Sequence, residues 1–146
     1  MKPPSEIITG LYLGNDKNSE INSLGYSMVV NCTPNLPFHI ICPDKVRIPI
    51  IDDPFESVPL FQILRDTDVI DKMHNHLKIN NTILVHCQAG AQRSPSVVAC
   101  YLIKHHIMTP EEAIQLIKSK RKEAFFWGIN FTKTIDMFYD HCKKNI

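Results

Sequence analysis

Several features that the sequence lacks narrow the classes of protein to consider. No apolar run approaches the roughly 18 residues of a membrane-spanning helix, so we predict no such helix. The first six residues, Met1 to Glu6, contain no apolar segment of the kind that a signal peptide needs. We therefore expect no membrane partner. The expected compartment is the cytoplasm, with the nucleus as a second candidate. The richness in Asn, Ile and Lys hints at a viral source, for which the compartment would be the host cytoplasm.

An excess of charge and paired cysteines are also missing. Lys and Arg number 16 and Asp and Glu number 15, and the resulting net charge of +1 gives no reason to expect nucleic acid as a partner. The cysteines are odd in number and show no Cys-x-x-Cys spacing, so we expect reduced thiols and no zinc site. These cysteines are Cys32, Cys42, Cys87, Cys100 and Cys142.

The most informative stretch of the chain joins a predicted strand to a predicted helix. The apolar, β-branched run from Thr82 to Val85 predicts a buried strand. From Pro95 onward apolar residues recur at helical spacing, and the first turn of a helix tolerates proline. The loop between them runs from Cys87 to Arg93. Such a loop can turn its backbone N–H groups inward, and the positive end of the helix dipole then strengthens the binding of an anion.

Cys87 would lie on the floor of this anion-binding loop. Arg93 and the start of the helix favour the thiolate, which is the nucleophilic form of cysteine. We therefore interpret the stretch as a phosphate-transfer site that forms a covalent cysteinyl-phosphate. The residues expected to bind the phosphate are Gln88, Ala89, Gly90, Ala91, Gln92 and Arg93.

The order His86-Cys87-x-Ala89-Gly90-x-x-Arg93-Ser94-Pro95 resembles the signature of cysteine-based protein tyrosine phosphatases, and in particular of their dual-specificity branch. The opening segment, residues 5–14, is similar to the corresponding segment of that branch. The resemblance extends from Ser5 to Cys142. It implies the phosphatase fold, a twisted sheet surrounded by helices, and a single catalytic domain over residues 1–146.

The resemblance also implies roles for individual residues. Cys87 would be the nucleophile, and Arg93 would hold two phosphate oxygens with its forked guanidinium. Ser94 would donate a hydrogen bond to the sulfur and help it leave, and His86 would order the loop. Asn31 would brace the loop from a neighbouring strand, although an Asn that merely forms a turn there fits equally well. This chemistry needs no metal and no organic cofactor.

A proton donor for the leaving group is expected in the acidic loop at residues 52–57. The family pattern I-P-x-x-D matches residues 48–52, which selects Asp52 as the general acid. Asp53 is the second candidate. Both carboxylates also fit a turn that simply precedes Pro54.

Strands alternate with helices along the chain, which predicts the α/β class with a mostly parallel sheet of four to five strands. Ligands of such sheets bind at the carboxyl ends of the strands, where Cys87 is expected. We predict strands within 5–14 and over 26–31, 46–51 and 82–85. We predict helices over 18–24, over about 58–77 and over 131–142. A further helix is predicted to begin at residue 95, and another to follow a capping box at 109–112. The basic run 118–122 is expected to be a solvated helix end.

The predicted substrates are phosphorylated proteins. The resemblance implies a shallow cradle, which admits phosphoserine and phosphothreonine as well as phosphotyrosine, and we expect a monomer or weak dimer. Phosphoinositide phosphatases of the family often carry Lys in the loop, whereas Gln88, Ala91 and Gln92 are neutral here. An RNA 5′-triphosphatase would use the same chemistry but favour a basic excess. A phosphoprotein-binding module without turnover is the remaining alternative.

Overall fold

The computed structural model describes residues 2–145 and confirms the α/β class with a mostly parallel sheet. Five strands form one sheet in the order β1-β2-β5-β3-β4. Strand β1 is antiparallel to β2, and the other neighbours are parallel. The strands are β1 Ser5–Ile8, β2 Leu11–Gly14, β3 Met28–Asn31, β4 Asp44–Arg47 and β5 Ile83–His86.

Five α-helices surround the sheet, and two short 3-10 turns span Lys17–Glu20 and Pro54–Glu56. The predicted capping box at the start of α4 is confirmed, because the Thr109 hydroxyl accepts from the Glu112 N–H and the Glu112 carboxylate accepts from the Thr109 N–H. The helices are α1 Ser57–Asp66, α2 Val69–Lys78, α3 Arg93–His105, α4 Pro110–Lys120 and α5 Thr132–Lys144.

The prediction of one long helix over 58–77 is wrong, because two helices occupy that region. Helix α1 ends where Thr67 adopts an extended conformation, and both the N–H and the hydroxyl of Thr67 donate to the carbonyl of Ile63. Helix α2 then begins at Val69. Neither glycine nor proline lies at residues 67–68, and the apolar periodicity therefore gave no sign of the break.

Two other predicted elements differ from those observed. The strand predicted over 46–51 lies earlier, at Asp44–Arg47, and the apolar residues Ile48 and Ile50 beyond it are buried without belonging to the strand. Their hydrophobicity reflects burial rather than strand pairing. The helix predicted over 18–24 is only the 3-10 turn Lys17–Glu20.

The sheet and α3 together place one loop at the carboxyl edge of the parallel strands. Asn31 at the end of β3 pairs with His86 at the end of β5, so the chain leaves both strands at the same edge. Helix α3 begins there and is buried from Ser94 to Ile103. None of the helices within residues 2–145 is long and apolar enough to cross a membrane.

Candidate active site

The loop after β5 joins the end of a buried strand to the start of a buried helix. Helix α3 begins at Arg93, two residues before the predicted start, so Pro95 lies in its first turn. Cys87 lies directly after β5 and is 3% exposed, whereas Gln88 and Ala89 are exposed. The structure thus places the thiol at the bottom of the loop that the sequence singled out.

Ser94 lies against this thiol. The Ser94 hydroxyl oxygen is 3.1 Å from the Cys87 sulfur, and the serine side chain is fully buried. The N-cap position of α3 is occupied by Gln92, so Ser94 is not the cap. A buried hydroxyl at this distance is able to donate a hydrogen bond to a thiolate.

The Arg93 guanidinium makes a hydrogen bond through one of its nitrogens, whereas another buried nitrogen has no hydrogen-bond partner among residues 2–145. Its Nη1 donates to the carbonyl oxygen of Ile50 at 3.0 Å, which ties the guanidinium to the segment before the acidic loop. Its Nε is buried and has no hydrogen-bond partner among residues 2–145. A buried donor without a partner costs free energy, so the position suits a ligand oxygen that accepts from it.

Sequence reasoning missed Arg121, which lies in the run expected to be a solvated helix end. The Arg121 side chain is buried, and its guanidinium donates to the carbonyls of Ala89 and Gly90 at 3.1 and 3.0 Å. Gly90 has a φ of +68°, and a Cβ there would lie 2.6 Å from Arg121 and 2.7 Å from the Gly14 carbonyl. Glycine and arginine together hold the loop in its curled conformation. Basic residues at a helix end gave no signal for this contact.

Replacing Arg121 by Leu is expected to loosen the loop, because the carbonyls of Ala89 and Gly90 would lose their donor. We expect the free energy of unfolding to fall by about 2 kcal/mol. The affinity of the loop for inorganic phosphate, measured by calorimetry, should fall by about tenfold. The exposed neighbour provides the control as Lys122→Ala. Equal behaviour of the two variants would show that Arg121 does not shape the loop.

Hydrogen bonds connect the loop to the acidic segment through residues 128–130. The Gln92 amide donates to the Gly128 carbonyl at 2.7 Å and accepts from the Asn130 N–H at 2.9 Å. The Asn130 side chain donates to the Asp52 carboxylate at 2.8 Å. The Asp52 carboxylate is therefore connected to the loop by a series of hydrogen bonds that the sequence did not reveal.

The two candidate acids have different surroundings. The Asp53 carboxylate accepts from the Phe55 N–H at 2.9 Å and caps the 3-10 turn that begins at Pro54. Asp52 is exposed and contacts Asn130, which belongs to the loop-linked segment. Asp53 is thus engaged in the cap, whereas the Asp52 carboxylate is linked through Asn130 to the loop.

His86 and Asn31 were expected to support the loop, and they differ in what they contact. The Nδ1 atom of His86 lies 3.3 Å from the Cys87 carbonyl, and burial lowers the pKa of the imidazole. The Asn31 side chain instead donates to the Leu36 carbonyl and accepts from the Thr33 hydroxyl. These contacts fit the turn-forming role that the sequence also allowed for Asn31, because its amide holds the segment after β3.

The other cysteines lie in different environments. Burial raises the pKa of Cys32 and of Cys100 well above the ordinary value, so both remain neutral thiols near neutral pH. Cys142 is partly buried in α5, and burial raises its pKa as well. Neither Cys32 nor Cys100 is therefore suited to act as a nucleophile.

One group of side chains within residues 2–145 has metal-ligand geometry. Asp16, Glu20 and His39 each offer a ligand atom, and these atoms lie within 4.8 Å of one another. Asp16 and Glu20 belong to the same 3-10 turn, whereas His39 lies in the segment between β3 and β4, so the sequence did not reveal the group. The Asp16 N–H donates to the Gln88 carbonyl, which sets this group beside the loop.

Comparison with known proteins was made by sequence and by structure. The family model of the dual specificity phosphatase catalytic domain matches residues 11–141. A protein named putative tyrosine phosphatase 123R, from invertebrate iridescent virus 6, is 32% identical over 137 residues, which cover 92% of this chain and 91% of that protein. Dual specificity protein phosphatase 14 of Mus musculus is 31% identical over 122 residues, which cover 80% of this chain and 60% of that protein.

The fold has close matches among solved structures. The crystal structure of human DUSP28 matches with a TM-score of 0.86 at 22% identity, and the match covers 98% of this chain and 97% of that chain. This likeness agrees with the sheet and the surrounding helices described above. On the family match over residues 11–141 and the relatives above 30% identity, the chain belongs to the dual specificity phosphatase family.

Proposed function

We propose that the protein hydrolyses phosphate esters of tyrosine, serine and threonine side chains in proteins through a cysteinyl-phosphate. One observation carries the proposal. The Cys87 sulfur lies 3.1 Å from the Ser94 hydroxyl, at the start of the helix that presents the unpartnered buried Nε of Arg93. A nucleophile, a donor to its sulfur and an oxygen-binding guanidinium thus meet at one helix end, where an anion is favoured.

The first step transfers the phosphoryl group to sulfur. The Cys87 thiolate attacks phosphorus in line, forming the S–P bond as the bond from phosphorus to the leaving oxygen breaks. The backbone N–H groups of residues 88–93 and the Arg93 guanidinium stabilise the charge on the three phosphoryl oxygens. Asp52 gives its proton to the leaving oxygen, which departs as a neutral hydroxyl of the substrate.

The second step returns the enzyme to its starting state. The Asp52 carboxylate accepts a proton from water, and the water oxygen attacks phosphorus as the S–P bond breaks. Inorganic phosphate is released, and Ser94 stabilises the departing thiolate by donating its hydroxyl proton in a hydrogen bond. The two steps together require neither a metal nor an organic cofactor.

The range of substrates follows from the shape and charge of the loop. Gln88 and Ala89 are exposed, so these two side chains of the loop are accessible to a bound substrate. The variable positions of the loop carry no Lys that would bind the additional phosphates of an inositol lipid. The lack of Lys supports phosphorylated protein rather than phosphoinositide as the substrate class.

Asn130 is proposed to position the general acid. The variant Asn130→Ala removes the hydrogen bond to Asp52, and we expect kcat/KM for substrates with a poor leaving group to fall by about tenfold. In kcat/KM, which reports the transfer step, substrates whose leaving group needs no proton should be affected much less, because the thiolate and Arg93 are untouched. Measuring kcat/KM for a series of aryl phosphates checks this. An equal loss across the series would mean that Asn130 supports the fold rather than the acid.

A panel of substrates tests the proposed function. Phosphotyrosyl and phosphothreonyl peptides, phosphoinositides and 5′-triphosphate RNA are compared at equal concentration with p-nitrophenyl phosphate as reference. We expect hydrolysis of both peptide classes and of the reference, and little of the lipid or the RNA. Preference for the lipid or the RNA would overturn the substrate class, and binding of phosphopeptides without turnover of any substrate would identify a binding module.

A further inference from the structure

Four exposed apolar side chains lie on two segments that are hydrogen-bonded to each other and, through Gln92, to the phosphate-binding loop. Ile51 and Phe55 belong to the acidic segment and are 58% and 93% exposed, and Phe126 and Trp127 precede Asn130 and are 66% and 90% exposed. We call these four residues the apolar rim. Single exposed apolar residues are common on protein surfaces, but a cluster beside a site marks an interaction surface.

The distribution of such residues over the molecule is uneven. Within residues 2–145, nine large hydrophobic side chains are exposed, and every aromatic one among them belongs to the apolar rim. The remaining five are aliphatic and lie outside the two loops: Ile21, Leu24, Ile41, Ile79 and Ile107. Aromatic side chains are the ones enriched at protein interfaces, so their confinement to this place points to a partner surface.

The two loops are joined to each other and to the phosphate-binding loop. Asn130 binds the Asp52 carboxylate at 2.8 Å, and Gln92 binds the backbone at residues 128 and 130. Phe55 and Trp127 each lie three residues from this junction, hence within about 11 Å of it along the chain. The Phe126 and Trp127 rings also contact each other edge to face, with centroids 4.8 Å apart. The two segments that carry the rim are therefore tied to each other and to the site.

The charges beside the rim limit what it can bind. The acidic segment carries the carboxylates of Asp52, Asp53 and Glu56. Acidic residues next to a phosphorylated side chain would meet these carboxylates and be repelled, whereas apolar residues would bury the exposed rings. The surface thus matches apolar neighbours of the phosphorylated residue.

We propose that the apolar rim is the substrate-selecting surface of the protein and binds apolar side chains that flank the phosphorylated residue of a protein substrate. This inference rests on the proposed function and names the class of phosphoprotein that the site accepts. Trp127 acts as the main anchor because it is the largest and among the most exposed of the four side chains, and truncation of such an anchor costs tenfold or more in typical interfaces.

Kinetics with two matched phosphotyrosyl peptides test the proposal. The peptides differ only in flanking residues, Leu and Phe in one and Asp and Ser in the other, and p-nitrophenyl phosphate is the reference that has no flanks. We expect the native protein to favour the apolar peptide by about tenfold in kcat/KM. Trp127→Ala and Phe55→Ala should abolish this preference, and Trp127→Phe should restore most of it. Ile79→Ala, an exposed apolar truncation at the opposite end of the sheet, should keep it.

Fluorescence gives a second readout that does not depend on turnover. Trp127 is the only tryptophan of the chain, so the emission of the Cys87→Ser variant reports on this surface alone. We expect a blue shift with the apolar peptide and none with the acidic one. Equal kcat/KM for the two peptides with normal hydrolysis of the reference would overturn the inference and leave the proposed function standing. A blue shift with phosphatidylcholine vesicles but not with the peptide would overturn it in favour of a lipid surface.

Discussion

Cys87→Ser is expected to lower kcat for every substrate by a factor on the order of 10⁵ or more, to the limit of detection. Serine at this position offers a hydroxyl, which remains protonated at neutral pH and is a far weaker nucleophile than a thiolate. The fold should survive, because the replacement is nearly isosteric and the Ser94 hydroxyl, 3.1 Å from the sulfur, can pair with the new one. Hydrolysis of p-nitrophenyl phosphate with a parallel thermal melt checks both statements.

The matched control removes a different thiol. Cys142 is partly buried in α5 and lies outside the phosphate-binding loop, so Cys142→Ser should retain the native kcat. The Cys87→Ser protein should also bind phosphopeptide without turning it over. Turnover by Cys87→Ser near the native rate would show that the Cys87 sulfur is not the nucleophile.

Asp52→Asn is expected to lower kcat/KM by about 10²–10⁴-fold for substrates with a poor leaving group, because no group would protonate the departing oxygen. Phosphoserine and phosphothreonine should lose most, since an alkoxide leaves less readily than a phenoxide. An activated aryl phosphate with an acidic phenol should lose least in the transfer step. A plot of log kcat/KM against leaving-group pKa for both proteins measures this, and the slope should steepen in the variant.

The neighbouring carboxylate supplies the comparison for this prediction. Asp53 caps the 3-10 turn through the Phe55 N–H, so Asp53→Asn should change the free energy of unfolding by less than about 1 kcal/mol and leave the slope unaltered. A steeper slope in Asp53→Asn together with a native slope in Asp52→Asn would transfer the role of the acid to Asp53.

The parts of the site that are contiguous in the chain were predictable from the sequence. A β-branched run, a cysteine, a five-residue loop and an arginine before a helical pattern specify a local conformation, because each residue depends on near neighbours. The structure places the Cys87 sulfur 3.1 Å from the Ser94 hydroxyl, in agreement with the family resemblance, and Arg93 is the first residue of α3. The parallel sheet followed for the same reason, since strand and helix periods alternate along the chain.

The parts that depend on distant segments were not predictable. Arg121 reaches the carbonyls of Ala89 and Gly90 across more than thirty residues of sequence, and a basic helix end gives no hint of burial. The contact between Asn130 and Asp52 joins segments 78 residues apart. The sequence left two roles open for Asn31, and only the structure shows that its amide side chain binds the segment after β3. Tertiary hydrogen bonds of this kind leave no periodic trace in a single sequence.

The most direct test of the central claim is to identify the atom that carries the phosphoryl group during turnover. The Ser94→Ala variant, in which breakdown of the intermediate should be slowed, is mixed with a phosphotyrosyl peptide and quenched in acid within milliseconds, and its peptides are mapped by mass spectrometry. The account predicts one added phosphoryl group, on Cys87. A phosphoryl group on another residue, or none on the protein while phosphate is being released in a burst, would contradict it.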